Sequence, residues 1–460
     1  MTPSSAAFRP PRPTPQPRSL GPIALLKTLG SNPIECWTQE HFERPVVMGG
    51  IPFGRVAVVS DPACIRKVLV EDSQSYRKSR LERRILSPRL RQGLVAVEGE
   101  QWERQRRILA PLFTRKHVRQ FSPAMTAAAA ALVERWRKTP TDTPVDLKTE
   151  MSGLSLDALV RSIFQEGLGA DPEAMRQNMV TFFATTGRID PLDWLGVPEV
   201  VPRITHWRVR RILHSFDQAL DSAVNARRLQ LERHFSGNPP DMLGFMLAAR
   251  DPHPGAKMND AEVKANVLTF IFAGQETTST ALTWAIYLLS QSADWAARVA
   301  EESERELTGC SEGIVERLHE TRAVIDEAMR LYPPIVGITR TAKRRDVLAG
   351  WAIERGTMVV VSPYVLHRHR LLWQAPDIFD PSRFLGSASR PIDRYAYLPF
   401  GVGPRMCIGA AFALQEATLA LATIMKNFSV ALAPGQSVWP VQRYTLRPRD
   451  PVMMLVRPRE

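Results

Sequence analysis

The sequence predicts a mainly α-helical protein with a smaller β region. Three observations carry that expectation. Apolar residues recur at i, i+3, i+4 spacing through most of the chain beyond Trp102. β-branched runs are confined to short stretches near the start and in the last third. A content of 44% hydrophobic and 8% aromatic residues in 460 is enough for a large core, which excludes a disordered chain, a disulfide scaffold and a collagen-like rod.

The elements follow in order. Pro3, Pro10, Pro11, Pro13, Pro15 and Pro17, with Arg9, Arg12 and Arg18, make residues 1–20 a Pro/Arg-rich tail expected to be disordered. It has no apolar region suited to a signal peptide. No internal linker divides residues 21–460, which are expected to form a single domain. Arg55-Val-Ala-Val-Val-Ser60 reads as a strand, and Asp61-Pro62 places a cap and a first-turn proline before a helix through Val70. Helical periodicity marks 119–137, 148–165, 173–187, 204–233, 260–290, 292–307 and 318–331. From Val347 to Ser362 the pattern becomes a β-hairpin, with Gly356 in the turn and Met358-Val-Val-Val361 as second strand. A loop-rich stretch leads to Cys407, a last long helix runs to about Lys426, and Thr445 to Arg457 has strand character. No fixed-period repeat appears, and no run of eighteen apolar residues predicts a transmembrane anchor.

A net charge of +13 raises nucleic acid, anionic membrane or an acidic protein as partner. No helix-turn-helix, zinc finger or aromatic-interleaved basic strip supports nucleic acid. Cys36, Cys64, Cys310 and Cys407 lie far apart, so neither a metal knuckle nor a disulfide framework can be read, and a reduced, cytoplasmic protein is expected.

The chemistry concentrates in Phe400-Gly-Val-Gly403-Pro-Arg405-Met-Cys407-Ile-Gly409, a glycine-rich loop running into a helix. Free N–H groups and the helix dipole there favour a thiolate, and Gly403 and Gly409 allow backbone and a flat ring to come close. A buried turn cysteine is the plainer reading of any one cysteine. The five-residue pattern F-x-x-G-x-R-x-C-x-G, however, would arise by chance in a chain this long only about once in 10⁴ sequences.

On this loop the chain resembles the cytochrome P450 family, whose cysteine at this position holds haem iron. The resemblance implies the cytochrome P450 fold, with haem b (iron protoporphyrin IX) between an oxygen-activating helix at about 260–290 and the cysteine loop and helix at about 400–426. It implies Cys407 as the axial metal ligand, Phe400 and Gly409 beside the cofactor, and Arg405 near a haem propionate. Trp102 and Arg106, one helical turn apart, and Arg340 would reach the propionates as well. Glu327-Ala-Met-Arg330 matches the family's E-x-x-R helix. That spacing occurs five times here, and Glu134/Arg137 and Glu302/Arg305 read most simply as surface ion pairs. Leu331-Tyr-Pro-Pro334 and Phe379-Asp-Pro381-Ser-Arg383-Phe384 single out Glu327 and Arg330, which with Arg383 imply the family's structural triad. Ser382 and the segment His367-Arg-His369 depart from the usual residues.

Ala273-Gly-Gln-Glu276-Thr277-Thr278 brings an acid, hydroxyls and a helix-weakening glycine into an apolar helix. Taken alone, it reads as hydroxyls bonded back to the i−4 carbonyl with the glutamate facing solvent. Within the resemblance, Thr277 stands on the oxygen side of the haem, Glu276 feeds protons through water, and Gly274 leaves room for dioxygen.

The function implied is a monooxygenase that inserts one atom of O2 into a hydrophobic small molecule. Nothing resembles a fused flavin or iron–sulfur domain, so the electron donor implied is a separate ferredoxin or flavodoxin with an NAD(P)H-dependent reductase. A peroxide-driven peroxygenase on the same fold and a non-catalytic haem sensor are the alternatives. Two basic groups remain. Arg77, Lys78, Arg80, Arg83, Arg84, Arg89 and Arg91, against Glu82 alone, read as a solvated face or as guidance for an anionic substrate. Arg104, Arg107, Arg115 and Lys116 are expected to dock the acidic donor.

Overall fold

A computed structural model of the chain describes residues 8–51, 54–79, 82, 92–140, 142–165, 204–234, 241–252, 255–308, 313–386 and 391–459. Its longer helices are α1 (Pro22–Ser31), α2 (Gly99–Leu109), α3 (Ser122–Lys138), α4 (Leu147–Ile163), α5 (Ile204–His234), α6 (Asp260–Ser290), α7 (Ala293–Glu306), α8 (His319–Leu331) and α9 (Ala410–Asn427). These match the periodic stretches closely; the helix expected over 173–187 lies outside the described residues.

The centre of the molecule is α6. Asn259 caps it, accepting from Glu262 N–H at 2.9 Å, while the Glu262 carboxylate accepts from Asn259 N–H at 3.1 Å. Its residues are buried on nearly every face, as expected of a helix surrounded by others. α6 packs against α4, α8 and α9. Trp284 stacks on Tyr332 at 3.8 Å and donates its indole N–H to Leu446 O at 2.7 Å, tying α6 to the end of α8 and to a late strand.

Twelve short strands among the described residues form the β region: β1 (Val46–Ile51), β2 (Gly54–Val59), β3 (Tyr76–Lys78), β4 (Val145–Asp146), β5 (Ile338–Ala342), β6 (Asp346–Leu348), β7 (Trp351–Ile353), β8 (Met358–Val361), β9 (Phe428–Leu432), β10 (Pro440–Gln442), β11 (Leu446–Pro448) and β12 (Met453–Pro458). The largest sheet has the order β1-β2-β8-β5-β3, with β2 and β8 parallel. Asp61 caps the helix after β2 as expected, accepting from Cys64 N–H at 2.8 Å. That helix continues to Glu71 as a π turn.

Two expectations need correction. The hairpin over 347–362 is really β6–β7, turning at Ala349 and Gly350, both at positive φ. Met358–Val361 instead forms an interior strand between β2 and β5, because an unbroken apolar run fits a strand flanked on both edges. The tail expected to be disordered is laid against the domain from Phe8 onward. Phe379 N–H donates to Phe8 O at 3.1 Å, Tyr332 Oη donates to Pro11 O at 2.7 Å, and Arg12 pairs with Asp377 at 2.7 Å. Prolines with locked φ lose little freedom on docking, so a proline-rich segment need not be disordered.

Candidate active site

A cavity of about 380 Å³ lies between α6 and the loop before α9, and most of the residues singled out from the sequence line it. The loop is built around its glycines. Gly401 and Gly403 have φ of +70° and +78°, and a Cβ on Gly403 would stand 2.0 Å from Leu69 O. Gly403 therefore serves close approach to the helix after β2, whereas Gly409 has only ordinary contacts. Cys407 N–H donates to Phe400 O at 2.9 Å, which closes the loop. The helix expected from Cys407 begins at Ala410, with Gly409 as its cap.

Cys407 is enclosed by protein, yet its side chain is accessible, because the surface it shows is the cavity wall. Burial pushes its thiol up, and the Gly409 N–H and the Arg106 guanidinium pull in the other direction without winning. The helix start alone therefore does not make a thiolate. A cation bonded to the sulfur would.

Phe400, Gly409, Trp102, Arg106, Arg340 and Arg405 all line the same cavity. Arg405 stacks on Trp102 at 3.8 Å and donates to Val97 O at 3.1 Å. Arg106 donates to Met406 O at 2.9 Å, and Arg340 to Thr339 O at 2.9 Å. Each guanidinium thus keeps N–H groups beyond its single carbonyl bond. Lys78 joins them, 8% exposed, with its ammonium donating to Val95 O. Burial lowers the Lys78 pKa to about 8 and that of Arg405 to about 10, and Arg340 is lowered for the same reason. Among the described lining residues the four cations accompany one acid, Glu82, and Glu98 also acts electrostatically on Lys78, Arg340 and Arg405.

On the opposite wall, α6 contributes Ala273, Gly274, Thr277 and Thr278. Thr277 Oγ1 donates to Ala273 O at 2.7 Å, the back-bonded geometry of a helical hydroxyl. Thr278 Oγ1 is buried with no hydrogen-bond partner. A Cβ on Gly274 would press on the Leu159 side chain at 3.1 Å, so this glycine also allows α6 to approach α4. Glu276 neither faces solvent nor lines the cavity. It is 4% exposed, and its Oε1 accepts from the Thr445 hydroxyl at 3.0 Å.

Away from the cavity, Glu327 and Arg330 form a fully buried bidentate pair at 2.6 and 2.7 Å. Arg330 also donates to His367 O, Pro376 O and Ile378 O. Arg383 Nε lies 3.6 Å from Glu327 Oε1, while its other nitrogens bond Gln374 O and Ala375 O. Beside them His367 is held neutral, its pKa lowered to about 3 by burial and by Arg330 and Arg368, and Leu398 N–H donates to its Nε2 at 2.8 Å. Glu134 and Arg137 are a surface pair at 3.0 Å, as expected. Glu302 and Arg305 are not. Glu302 is 3% exposed and accepts from the N–H groups of Glu320 and Thr321 at the start of α8, while Arg305 pairs with Glu306.

The sequence reading missed Lys78, Glu82 and Thr278 as cavity residues. Lys78 and Glu82 sit in a charge run that reads as solvated, and only the strand β3, which buries alternate side chains, separates Lys78 from exposed Arg77. Arg80, Arg83, Arg84, Arg89 and Arg91 lie outside the described residues. Two of the four expected docking cations are committed within the chain, Arg104 to Glu262 and Arg107 to Asp251 at 2.9 Å.

Comparison with known proteins agrees with this geometry. The family model described as Cytochrome P450 matches residues 10–456. The chain is 30% identical over 400 residues to cyclooctatin synthase of Streptomyces melanosporofaciens, covering 86% of this chain and 85% of that one. It is 32% identical over 361 residues to pentalenene oxygenase of Streptomyces avermitilis, covering 77% of each. It is also 30% identical over 366 residues to a bifunctional cytochrome P450/NADPH–P450 reductase of Bacillus subtilis, covering 78% of this chain and 34% of that longer one. With a cysteine loop facing α6 across one cavity and a family match over nearly its whole length, this chain belongs to the cytochrome P450 family of haem-iron monooxygenases.

Proposed function

We propose that the protein uses haem b, two electrons and two protons to turn an apolar substrate's C–H bond and O2 into an alcohol and water. The observation that carries this reading is the single thiol of Cys407 on a cavity wall opposite α6, with four cationic side chains on the rim. Those residues fit the cofactor: one soft donor for iron, and under-bonded guanidinium groups for two carboxylates. Haem held by a thiolate supplies the cleavage of the O–O bond.

The remaining work falls to the chain. Arg106, Arg340 and Arg405 hold the haem carboxylates, while Trp102 fixes the plane of Arg405. Leu94, Leu159, Phe270 and Ile338 give the cavity apolar walls that accept a hydrophobic substrate and exclude water. Thr277 holds a proton at Oγ1 on the oxygen side. Glu276 Oε1 accepts from the Thr445 hydroxyl, so Thr445 is the resting partner of the proton supply. The name of pentalenene oxygenase, a relative of this chain, favours an apolar, alkene-like substrate class. Electrons come from a separate acidic ferredoxin or flavodoxin with its NAD(P)H-dependent reductase, in the cytoplasm. Arg115 and Lys116, both exposed, are its docking cations.

One experiment tests the reading. Product and NADH consumption are measured with surrogate ferredoxin and reductase, for the parent and for Thr277→Ala. The parent should form hydroxylated product, and the variant should bind substrate as the parent does while diverting reducing equivalents to peroxide. The resting geometry of Thr277 and Glu276 favours one second reading, a peroxide-driven peroxygenase. Product formed with hydrogen peroxide but not with the reductase system would select it.

A further inference from the structure

Two of the cavity's cations already face a carboxylate that belongs to the chain. Glu82 Oε2 lies 3.5 Å from Arg340 Nη1, and Oε1 lies 3.9 Å from Lys78 Nζ. Oε2 also accepts from the Thr339 hydroxyl at 3.3 Å. The Glu82 N–H donates to Ser79 Oγ at 3.1 Å, and that hydroxyl meets Thr339 Oγ1 at 2.8 Å. Glu82 is therefore tied to β5 directly at its carboxylate and through Ser79 at its backbone. Both ion pairs are longer than the roughly 2.7–2.9 Å of a charge-assisted hydrogen bond. Lys78 and Arg340 are partly neutralised by Glu82 without being saturated by it.

We propose that Glu82 competes with the haem carboxylates for Lys78 and Arg340, and so sets how tightly the haem is held and how readily it is reduced. The proposal rests on the haem-carboxylate roles given above. Its physical basis is a charge count at one wall, where Glu98 also acts on Lys78 and Arg340 but Glu82 is the carboxylate with the larger effect on both. A third carboxylate within reach of the same two cations weakens their attraction for the other two. It also adds negative charge near an iron that gains an electron on reduction, which disfavours the reduced form. Glu82 acts through Lys78 and Arg340, which makes it a positioning residue.

The test uses the holoenzyme. Haem release to excess apomyoglobin and the haem reduction potential are measured for the parent, Glu82→Gln, Glu82→Asp and Lys78→Met. Glu82→Gln should slow release by roughly 2- to 5-fold and move the potential to more positive values. Glu82→Asp, whose carboxylate is drawn back by one methylene, should change both in the same direction by less, and serves if the glutamine variant does not fold. Lys78→Met should speed release. Unchanged or faster release in Glu82→Gln with an unmoved potential would overturn the competition and leave Glu82 as a tether of its loop. A parent that takes up no haem would instead overturn the cofactor reading itself.

Discussion

Arg330 and Arg340 lie on either side of the Pro333-Pro334 pair, each near a glutamate, and their surroundings are opposite. Arg330 spends five N–H bonds: two on Glu327 and one each on three backbone carbonyls. Nothing is left over, and the cluster can only hold the chain in place. Arg340 makes one bond to its neighbour's carbonyl, one long contact to Glu82, and otherwise faces a cavity beside Arg405 and Lys78. A buried arginine with all its donors used belongs to the scaffold. One that keeps donors beside other cations has the chemistry to bind anionic atoms.

Substitutions separate these two cases. The largest effect is expected from Glu327→Gln, which leaves Arg330 buried with an uncompensated charge. Loss of about 3–5 kcal/mol of stability is expected, read as a lower denaturation midpoint in urea, together with poor haem loading. Arg405→Leu should weaken haem retention by roughly 10- to 100-fold, since hydrogen bonds to charged groups contribute about 1.5–3 kcal/mol. The urea midpoint of the haem-free protein should fall little or rise, because this guanidinium is held at a desolvation cost. If Arg405→Leu lowers the urea midpoint as far as Glu327→Gln, the distinction between the clusters collapses.

A third carboxylate sharpens the comparison because it has no arginine at all. Glu416 on α9 is 1% exposed, its Oε1 accepts from the Ser155 hydroxyl at 2.5 Å, and its Oε2 has no partner. Burial pushes its pKa up to about 8. The folded protein therefore binds this proton more tightly than the unfolded chain, and the stability it contributes is full below the ordinary carboxylate range and is lost as pH rises through about 8. Glu416→Gln, which keeps the shape without the ionisation, should flatten the stability–pH profile between about 4.5 and 8, measured as urea midpoints across that range. The smallest effect should come from reversing charge at Arg115 and Lys116. Reduction by an acidic donor should slow at low ionic strength and approach the parent's rate at high salt, with substrate affinity unaltered. Equal rates at both salt concentrations would move the docking site elsewhere.

How much of this was legible in the sequence follows from the kind of signal each residue carries. α6 could be read from its periodicity because a long apolar segment with one cap has few alternatives. Cys407, Arg405, Phe400 and Gly409 could be picked out as cavity residues because fixed spacing in a loop carries information that composition does not. Glu302 and Glu327 have the same E-x-x-R spacing, and spacing cannot say that one caps the start of α8 while the other binds Arg330. Met358–Val361 was assigned to the wrong partner because strand pairing is decided by which edge is free, not by local pattern. Lys78 and Glu82 were hidden in a basic run, since a charge pointing inward from a three-residue strand leaves no mark that distinguishes it from one pointing out. Gly403 could be read as allowing close approach, but not which backbone approaches it. Its need for glycine comes from Leu69, far away in sequence.

The central claim is that Cys407 is the sulfur that holds the haem iron. It is tested most directly by the absorption spectrum of the reduced, carbon monoxide-bound protein, recorded for the parent, for Cys407→His and for Cys64→Ser. The account predicts the strongly red-shifted Soret band of a thiolate-held carbonyl haem in the parent and in Cys64→Ser, and its replacement by the shorter-wavelength band of an imidazole-held haem in Cys407→His. An unshifted, parent-like band in Cys407→His would contradict it.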